Sequence, residues 1–111
     1  MKINLTTTGR RSGEPRDVPL YAWDDGERLV IVGSVGGAAR DPHWVRNLRA
    51  QPRATVTKGR QSREMRAEEV DGPERERLWK LVTEAFPLYA TYQRKTKRVI
   101  PLFVLEGVGG N

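Results

Sequence analysis

The sequence predicts a mainly β domain, an antiparallel β-barrel of six strands with two to three short helices. Short runs rich in β-branched and aromatic residues recur along the chain, as is typical of strands. Turn signals such as Asp25-Gly26 separate neighbouring runs by only a few residues. Helical spacing is limited to two stretches, so the strand and helix alternation of a parallel sheet is missing. The chain of 111 residues fits one domain, expected over 1–111.

The first half of the chain supplies three predicted strands and one predicted helix. The strands cover 3–8, 16–23 and 28–32 and should form an antiparallel meander. A loop of small residues follows, and then Asp41 is expected to cap a short helix with Pro42 at its first position. Gln51-Pro52 ends that helix.

The second half supplies a hairpin, a helical segment and a closing strand. Alternating apolar residues on either side of Gly59-Arg60 predict the hairpin. A second helix is expected to begin near residues 71–74, with acidic residues in its first turn, and to break near Pro87. Another helical turn or two should follow over 89–93, before a buried strand over 99–105.

Composition excludes several classes of site. A net charge of +6 and a pI near 10.2 favour an acidic partner, which can be nucleic acid, an anionic membrane surface or a polyanionic small molecule. With no cysteine and with His43 as its one histidine, the chain offers neither a disulfide scaffold nor a histidine or thiolate metal site. It has no secretory signal and no apolar span of membrane length, so we expect a cytoplasmic protein.

The run from Thr6 to Arg16 is the strongest candidate for a binding site. It places three threonines, two glycines and three arginines on a strand, a turn and the start of another strand. Guanidinium forks pair with phosphate or carboxylate oxygens, and glycines let backbone N–H groups approach a ligand. A solvated hairpin turn is the alternative interpretation, since glycine and charged residues are common there.

Several motifs together resemble the deazaflavin-dependent nitroreductase family, which includes F420H2-dependent quinone reductases. They occur in the family's order and with its spacing. The motifs are the run 6–16, Pro19-Leu20-Tyr21, Ser34-Val35-Gly36-Gly37, Pro42-His43-Trp44, Asn47-Leu48, Pro52, Glu74-Arg75, Trp79, the segment 86–93 and Ile100-Pro101. The resemblance covers nearly the whole chain. It implies a split β-barrel of the flavin-reductase or FMN-binding type and the cofactor F420, a deazaflavin whose tail carries a phosphate and several glutamates.

The resemblance also implies a set of cofactor contacts. These are Arg10, Arg11, Ser12, Arg16, Pro19, Tyr21, Ser34, Val35, Gly36, Gly37, Trp44 and Asn47. The arginines match the family's contacts to the phosphate and tail, and residues 34–37 precede a helix whose positive end favours anions. For Trp44 and Asn47 the alternatives are a core residue and a loop anchor.

Tyr89 and Tyr92 are the candidate catalytic residues, in a segment that shapes the acceptor pocket in the family. Negative charge develops on a quinone or nitro oxygen as hydride arrives, so a tyrosine hydroxyl there can donate a proton or a hydrogen bond. Packing residues with their hydroxyls in water are the alternative. Phe86 replaces a family tyrosine and cannot donate a proton.

Other departures from the family pattern concern both the cofactor and the acceptor. Val35 stands where the family often has lysine, and Val45 replaces a common tyrosine. Many members carry a helical extension before the first strand, whereas this chain begins almost at that strand, so we expect a more open acceptor pocket. The expected acceptor is a quinone or a nitroaromatic compound, and a peripheral membrane contact and a homodimer are possible arrangements in such a protein.

Two other functions remain open on the sequence. The first is a non-catalytic carrier that binds F420, FMN, haem or a fatty acid in the same barrel, because fold does not fix function. FMN is also the alternative cofactor for an enzyme. The second is nucleic-acid binding by the cations over 46–66, which is disfavoured because that stretch lacks aromatic residues on which bases stack.

Overall fold

A single curled antiparallel sheet organises residues 1–108, which are the residues that the computed structural model describes. Its seven strands are β1 Lys2–Thr8, β2 Pro15–Tyr21, β3 Trp23–Asp25, β4 Arg28–Val32, β5 Arg53–Lys58, β6 Gln61–Glu69 and β7 Leu102–Gly107. Their order in the sheet is β2-β1-β5-β6-β7-β4-β3. The helices are α1 His43–Ala50, α2 Gly72–Ala85 and α3 Leu88–Lys95, and a 3₁₀ turn covers Val35–Gly37.

The predicted mainly β barrel is confirmed, with seven strands in place of six. The difference lies at Ala22, where the predicted second strand divides into β2 and β3. Tyr21 still pairs with β1, whereas Trp23 pairs with Val30 of β4. The two ends of the strand order are therefore halves of one bent segment, and its change of partner curls the sheet into a barrel.

Alternation along the strands divides the apolar residues between two clusters. On β4, Ile31 points into an inner core, while Val30 and Val32 belong to an outer cluster. α1 adds Trp44, Val45 and Leu48 to the inner core, so this helix covers part of the barrel interior. α2 and α3 lie over the outer cluster, to which they add Leu78, Val82 and Tyr89. The strand alternation and the spacing of apolar residues on the helices both match the burial that the sequence predicts.

Helix α1 begins one residue later than the sequence predicts, and Asp41 does not cap it. Pro42 occupies the N-cap position, where no side chain caps the helix. The Asp41 carboxylate instead accepts hydrogen bonds from Arg49 Nη1 and Arg98 Nη1, each at 2.8 Å. Two guanidinium partners hold the carboxylate away from the helix N–H groups, because cationic donors attract a carboxylate more strongly than neutral backbone N–H groups do.

The second helical segment follows the prediction. α2 ends at Ala85, Pro87 precedes α3, and the break between them allows the chain to turn back over the sheet. Among residues 1–108, no helix combines the length and apolar character that crossing a membrane requires.

Candidate functional site

The turn between β1 and β2 is a tight loop that brings arginines together; we call residues 9–14 the basic turn. Gly9 N–H donates to the Glu14 carbonyl at 2.7 Å, and Gly13 N–H donates to the Gly9 carbonyl at 2.8 Å. A Cβ atom on Gly9 would lie 2.7 Å from Ser12 Oγ, and Gly13 has a φ of +74°. Both glycines are thus required by the path of the backbone.

Asn47 fixes the basic turn to helix α1. Its Oδ1 accepts from Arg10 N at 3.2 Å and from Arg10 Nη1 at 2.9 Å, and its Nδ2 donates to Thr7 Oγ1 at 3.0 Å. Asn47 is 2% exposed, so these bonds satisfy a buried amide. The side chain aims the Arg10 guanidinium and thereby links a strand, a turn and a helix.

An open pocket of about 330 Å³ lies beside the basic turn; we call it the basic pocket. Its lining residues are Gly9, Arg10, Arg11, Ser12, Arg16, His43 and Asn47. Glu14 is the carboxylate closest to its guanidiniums among the ion pairs of the described residues, with 3.8 Å between Arg16 Nη2 and Glu14 Oε2. Both side chains are largely exposed, which weakens the attraction. The pocket therefore keeps a positive charge that suits a phosphate or carboxylate.

His43 is a lining residue that the sequence analysis did not select. It opens helix α1, and its Nδ1 lies 3.4 Å from Arg10 Nη2. The signal that could have found it is its place at the first turn of a helix, where backbone N–H groups face outward.

Residues 33–41, which we call the glycine loop, connect β4 to α1. Gly37 N–H donates to the Ser34 carbonyl at 2.8 Å, and Ala38 N–H donates to the Val35 carbonyl at 3.1 Å. Within residues 1–108, the N–H groups of Val35 and Gly36 have no backbone acceptor. They are available to oxygen atoms of a ligand, as free N–H groups at a helix start are.

The conformation of the glycine loop is left-handed at three consecutive residues. The φ angles are +43° at Val35, +60° at Gly36 and +85° at Gly37. A Cβ atom on Gly37 would lie 2.8 Å from the Tyr92 carbonyl oxygen, so α3 packs directly against the loop. A β-branched residue such as Val35 disfavours this region, and the surrounding structure must hold it there.

An aromatic cluster lies beside the loop, built from both ends of the chain. Its members are Tyr21 and Trp23 from the bent strand segment, Phe86 between the helices, and Tyr89 and Tyr92 from α3. The rings of Phe86 and Tyr89 meet edge to face with centroids 4.8 Å apart, and those of Tyr89 and Tyr92 are 6.4 Å apart. Edge-to-face pairs of this kind stabilise a defined arrangement.

Tyr89 is buried, and its hydroxyl oxygen has a single donor in the part of the chain that the structure describes. Trp23 Nε1 donates to Tyr89 Oη at 3.2 Å, and Tyr89 is 6% exposed. Burial raises the pKa of Tyr89 above its usual value, and the bond from Trp23 partly opposes this rise. Because an indole N–H only donates, the Tyr89 proton remains free to be given to another acceptor. Trp23 is a second residue that the sequence analysis missed, although it shares a strand face with Tyr21.

The structure does not bring every predicted contact to these surfaces. Trp44 is 5% exposed and packs on Phe103, with ring centroids 5.8 Å apart, which is the position of a core residue. Asn47 has the anchor role that the sequence left open, and it also lines the basic pocket. Pro19 lies exposed on β2, opposite Asn4 of β1. Residues 1–108 contain no cluster of three or more metal-ligating side chains.

The three surfaces follow one another around the end of α1. The basic turn contacts the first residue of α1, the glycine loop leads into the same helix, and α3 packs on the glycine loop. One end of this surface is cationic, and the other end is aromatic with a buried hydroxyl. Such a surface suits a flat ring system with an anionic tail.

Comparison with known proteins agrees with this chemistry. The model of the F420H(2)-dependent quinone reductase family matches residues 2–107. An F420H(2)-dependent quinone reductase of Mycobacterium tuberculosis is 38% identical over 104 residues, which are 91% of this chain and 70% of that protein.

Solved structures show the same fold. An F420-H2-dependent reductase, FDR-A, is 42% identical with a TM-score of 0.85, covering 95% of this chain and 93% of that chain. A chain described as a domain-swapped dimer is 42% identical with a TM-score of 0.86, covering 95% and 79%. HutZ, the haem storage protein of Vibrio cholerae, is 16% identical with a TM-score of 0.75, covering 98% and 82%, and shows the fold alone. The chain is thus a split-barrel F420-dependent reductase that belongs to the F420H(2)-dependent quinone reductase family.

Proposed function

We propose that the protein reduces a quinone or a nitroaromatic compound at the aromatic cluster, with F420H2 held along the basic pocket and the glycine loop. One observation carries this proposal: the cationic pocket, the free N–H groups and the buried Tyr89 hydroxyl lie on elements that contact one another, since Arg10 lies beside His43 of α1 and α3 packs on the glycine loop. A binding surface for an anionic tail alone would not need the buried Tyr89 hydroxyl.

The residues present fit the cofactor's tail. A phosphate and several carboxylates need cationic partners that are not already paired with a carboxylate of the protein. Arg10 and Arg11 meet that condition, because neither belongs to an ion pair among the described residues. Asn47 orients Arg10 before a ligand arrives, which lowers the entropy that binding would cost. Arg16 is partly matched by Glu14 and contributes less.

The protein must align the cofactor ring with the acceptor, exclude water from between them and supply a proton. When bound, F420H2 supplies a hydride from its reduced ring. A quinone that gains this hydride on oxygen or carbon also needs one proton to become the neutral hydroquinone. We assign that proton to the Tyr89 hydroxyl, which is buried, aimed by Trp23 and free to donate.

Tyr92 is the second candidate for the proton donor. It lies three residues from Tyr89 on α3 and is less buried. Its ring faces the Lys95 ammonium group, with Nζ 6.0 Å from the ring centroid. Replacing each tyrosine by phenylalanine distinguishes the two, because each variant keeps the ring and removes only the hydroxyl.

The test of the proposal is a fluorescence titration with oxidised F420 and, in parallel, with FMN, followed by addition of a quinone or a nitroaromatic compound to the reduced complex. F420 binding with reoxidation that depends on the acceptor supports the proposal. Binding without turnover indicates a carrier, and a preference for FMN indicates a flavin protein. Binding of neither cofactor would favour a nucleic-acid-binding function instead.

The tyrosine variants refine the same test. We expect Tyr89→Phe to lower kcat about tenfold or more, since general acid catalysis contributes at least that much. Its KM for F420H2 should change little. A larger loss of kcat in Tyr92→Phe would move the proton donor to that residue.

We also propose a cytoplasmic protein with a reversible contact to an anionic membrane. Support comes from exposed apolar side chains near the site, with Tyr21 57%, Val35 52% and Leu88 47% exposed. The glycine loop also carries exposed Arg40, and the exposed Lys95 of α3 packs beside Gly37 of the same loop. Co-sedimentation with vesicles of phosphatidylglycerol, but not of phosphatidylcholine alone, is expected, and Leu88→Asp should weaken it.

A homodimer is the assembly that we propose. Support comes from the similar chain described as a domain-swapped dimer, and from β2, which presents exposed residues at one end of the strand order. Light scattering after size-exclusion chromatography tests it directly. A mass near 12.6 kDa would indicate a monomer instead.

A further inference from the structure

Arg98, between α3 and β7, makes an unusual number of bonds to a single loop. Its Nε donates to the Ala38 carbonyl at 2.8 Å. Its Nη1 donates to the Gly33 carbonyl at 3.0 Å and to Asp41 Oδ1 at 2.8 Å. Its Nη2 donates to the Ser34 carbonyl at 2.8 Å. All four acceptors belong to the glycine loop, and the Arg98 side chain is only 13% exposed.

The acceptors lie at both ends of the loop, so Arg98 ties the ends to each other. Gly33 and Ser34 precede the left-handed residues, whereas Ala38 and Asp41 follow them. A guanidinium is planar and offers five N–H donors in a fixed arrangement. A lysine ammonium has three donors at one point and cannot reach all four acceptors at once.

The backbone of Arg98 is itself fixed to α3. Gln93 Nε2 donates to the Arg98 carbonyl at 2.7 Å, and Gln93 Oε1 accepts from Ile100 N at 2.9 Å. α3 also carries Tyr89 and Tyr92. Arg98 thus connects the helix of the aromatic cluster to the loop that faces the cofactor's proposed position.

The bonds also determine which backbone groups the loop presents. The carbonyls of Gly33, Ser34 and Ala38 are turned toward Arg98. The N–H groups of Val35 and Gly36, which have no backbone acceptor among residues 1–108, lie on the intervening turn. The φ of +43° at Val35 is disfavoured for a β-branched residue, so the turn needs an external tie to persist.

We propose that Arg98 is a positioning residue, which holds the glycine loop in its binding shape and so sets the affinity for F420 without touching the cofactor. This inference rests on the proposed function, because the glycine loop must be part of the cofactor site. Asp41 extends the tie, since it binds Arg98 on one oxygen and Arg49 on the other.

The experiment compares Arg98→Met and Arg98→Lys with the wild type and with Arg94→Met as a matched control. Arg94 is an exposed arginine on α3 whose one side-chain bond within residues 1–108 is to Thr91 Oγ1. The measurements are the Kd for oxidised F420, the separate KM and kcat for F420H2, and amide hydrogen exchange of the peptide covering 33–41 without cofactor.

We expect Arg98→Met to raise Kd and KM about tenfold, because a bound ligand must then order the loop itself. kcat at saturating F420H2 should stay within about threefold, since binding restores the loop. Exchange in residues 33–41 should become about tenfold faster while that of β4 is unchanged. Arg98→Lys should raise Kd less than Arg98→Met, and Arg94→Met should leave all four quantities unchanged.

Unchanged Kd together with unchanged loop exchange in Arg98→Met would overturn the inference. A loss of kcat with unchanged KM would also overturn it, since Arg98 would then act on the chemical step. If Arg98→Met does not fold, Arg98→Lys decides by the same criteria, with a rise in Kd of about threefold or more required. Failure of the wild type to bind F420 would overturn the proposed function, and the loop exchange would still measure whether Arg98 holds the loop.

Discussion

Two groups of arginines in this protein have very different partners. One is the basic pocket, with Arg10, Arg11 and Arg16. The other, which we call the paired network, joins Arg28 and Arg77 to Asp25 and Glu74.

The paired network matches two cations with two carboxylates. Arg28 Nη2 lies 2.6 Å from Asp25 Oδ2 and 2.8 Å from Glu74 Oε1, and Arg77 Nη2 lies 2.9 Å from Asp25 Oδ2. The bonds from Arg77 and then Arg28 lower the pKa of Asp25 to about 2. The network therefore ties the β3–β4 hairpin to α2 and leaves little charge for a ligand.

The basic pocket matches its cations mainly with neutral groups. Arg10 donates to an amide oxygen of Asn47, and Arg16 Nη2 donates to Ser12 Oγ at 3.4 Å. These partners orient a guanidinium without neutralising it. Unmatched charge, rather than the number of arginines, thus distinguishes a binding surface from a structural one.

The largest expected effect comes from removing unmatched charge. Arg10→Ala with Arg11→Ala should weaken F420 binding about a hundredfold, because two charge-assisted contacts are lost at once. The loss should be greater for long oligoglutamate tails and at low salt, since screening weakens exposed charges. Fluorescence titration at two salt concentrations and with two tail lengths measures it.

The matched control removes the same charge elsewhere. Lys58→Ala with Arg60→Ala acts on exposed cations at the β5–β6 hairpin, for which no ion pair exists among residues 1–108. Its Kd for F420 should change less than about threefold. If both double variants bind equally weakly, net charge rather than the pocket sets the affinity.

Asn47→Ala tests whether a neutral partner orients the basic pocket. The variant leaves Thr7 Oγ1 without its buried donor and releases Arg10, so we expect about 2 kcal/mol of lost stability. The Kd for F420 should rise about tenfold, since Arg10 is then ordered only by the ligand. Chemical denaturation and titration measure the two effects, and an unchanged Kd would show that Arg10 needs no anchor.

Sequence alone could predict much of the fold, because strands and helices follow from local periodicity. It could not predict the division at Ala22, which depends on a change of partner from β1 to β4. It predicts Asp41 as a helix cap, because local spacing does not show that Arg98, 57 residues away, draws the carboxylate out of the cap position together with Arg49.

The candidate site was predictable where motif and backbone coincide, as in the basic turn with Gly9 and Gly13. The resemblance could not separate Trp44, which packs in the core, from residues that line a pocket. Trp23 and His43 are not found from the sequence because each is joined to the site by one hydrogen bond to a residue far along the chain.

Asp25→Asn tests the paired network through its pH dependence. The folded pKa of about 2 lies below the usual carboxyl value of 3.8, so the stabilisation is present above pH 4 and is lost as pH falls toward 2. At pH 7 we expect the variant to lose about 1 kcal/mol, after allowance for solvent screening. Denaturation at several pH values measures this, and the Kd for F420 at pH 7 should be unchanged. A stability difference that grew on acidification would contradict the assignment.

The smallest expected effect comes from the opposite change, which removes a carboxylate from the basic turn and so leaves Arg16 without that partner. Glu14→Gln keeps the shape of the side chain and removes the carboxylate that lies 3.8 Å from Arg16. Because exposed pairs are weak, F420 should bind about twofold more tightly, and the gain should disappear at high salt. Glu27→Gln is the matched control, since Glu27 is exposed and no ion pair includes it among the described residues. Weaker binding in Glu14→Gln alone would mean that Glu14 holds Arg16 in place, as the paired network holds its own arginines.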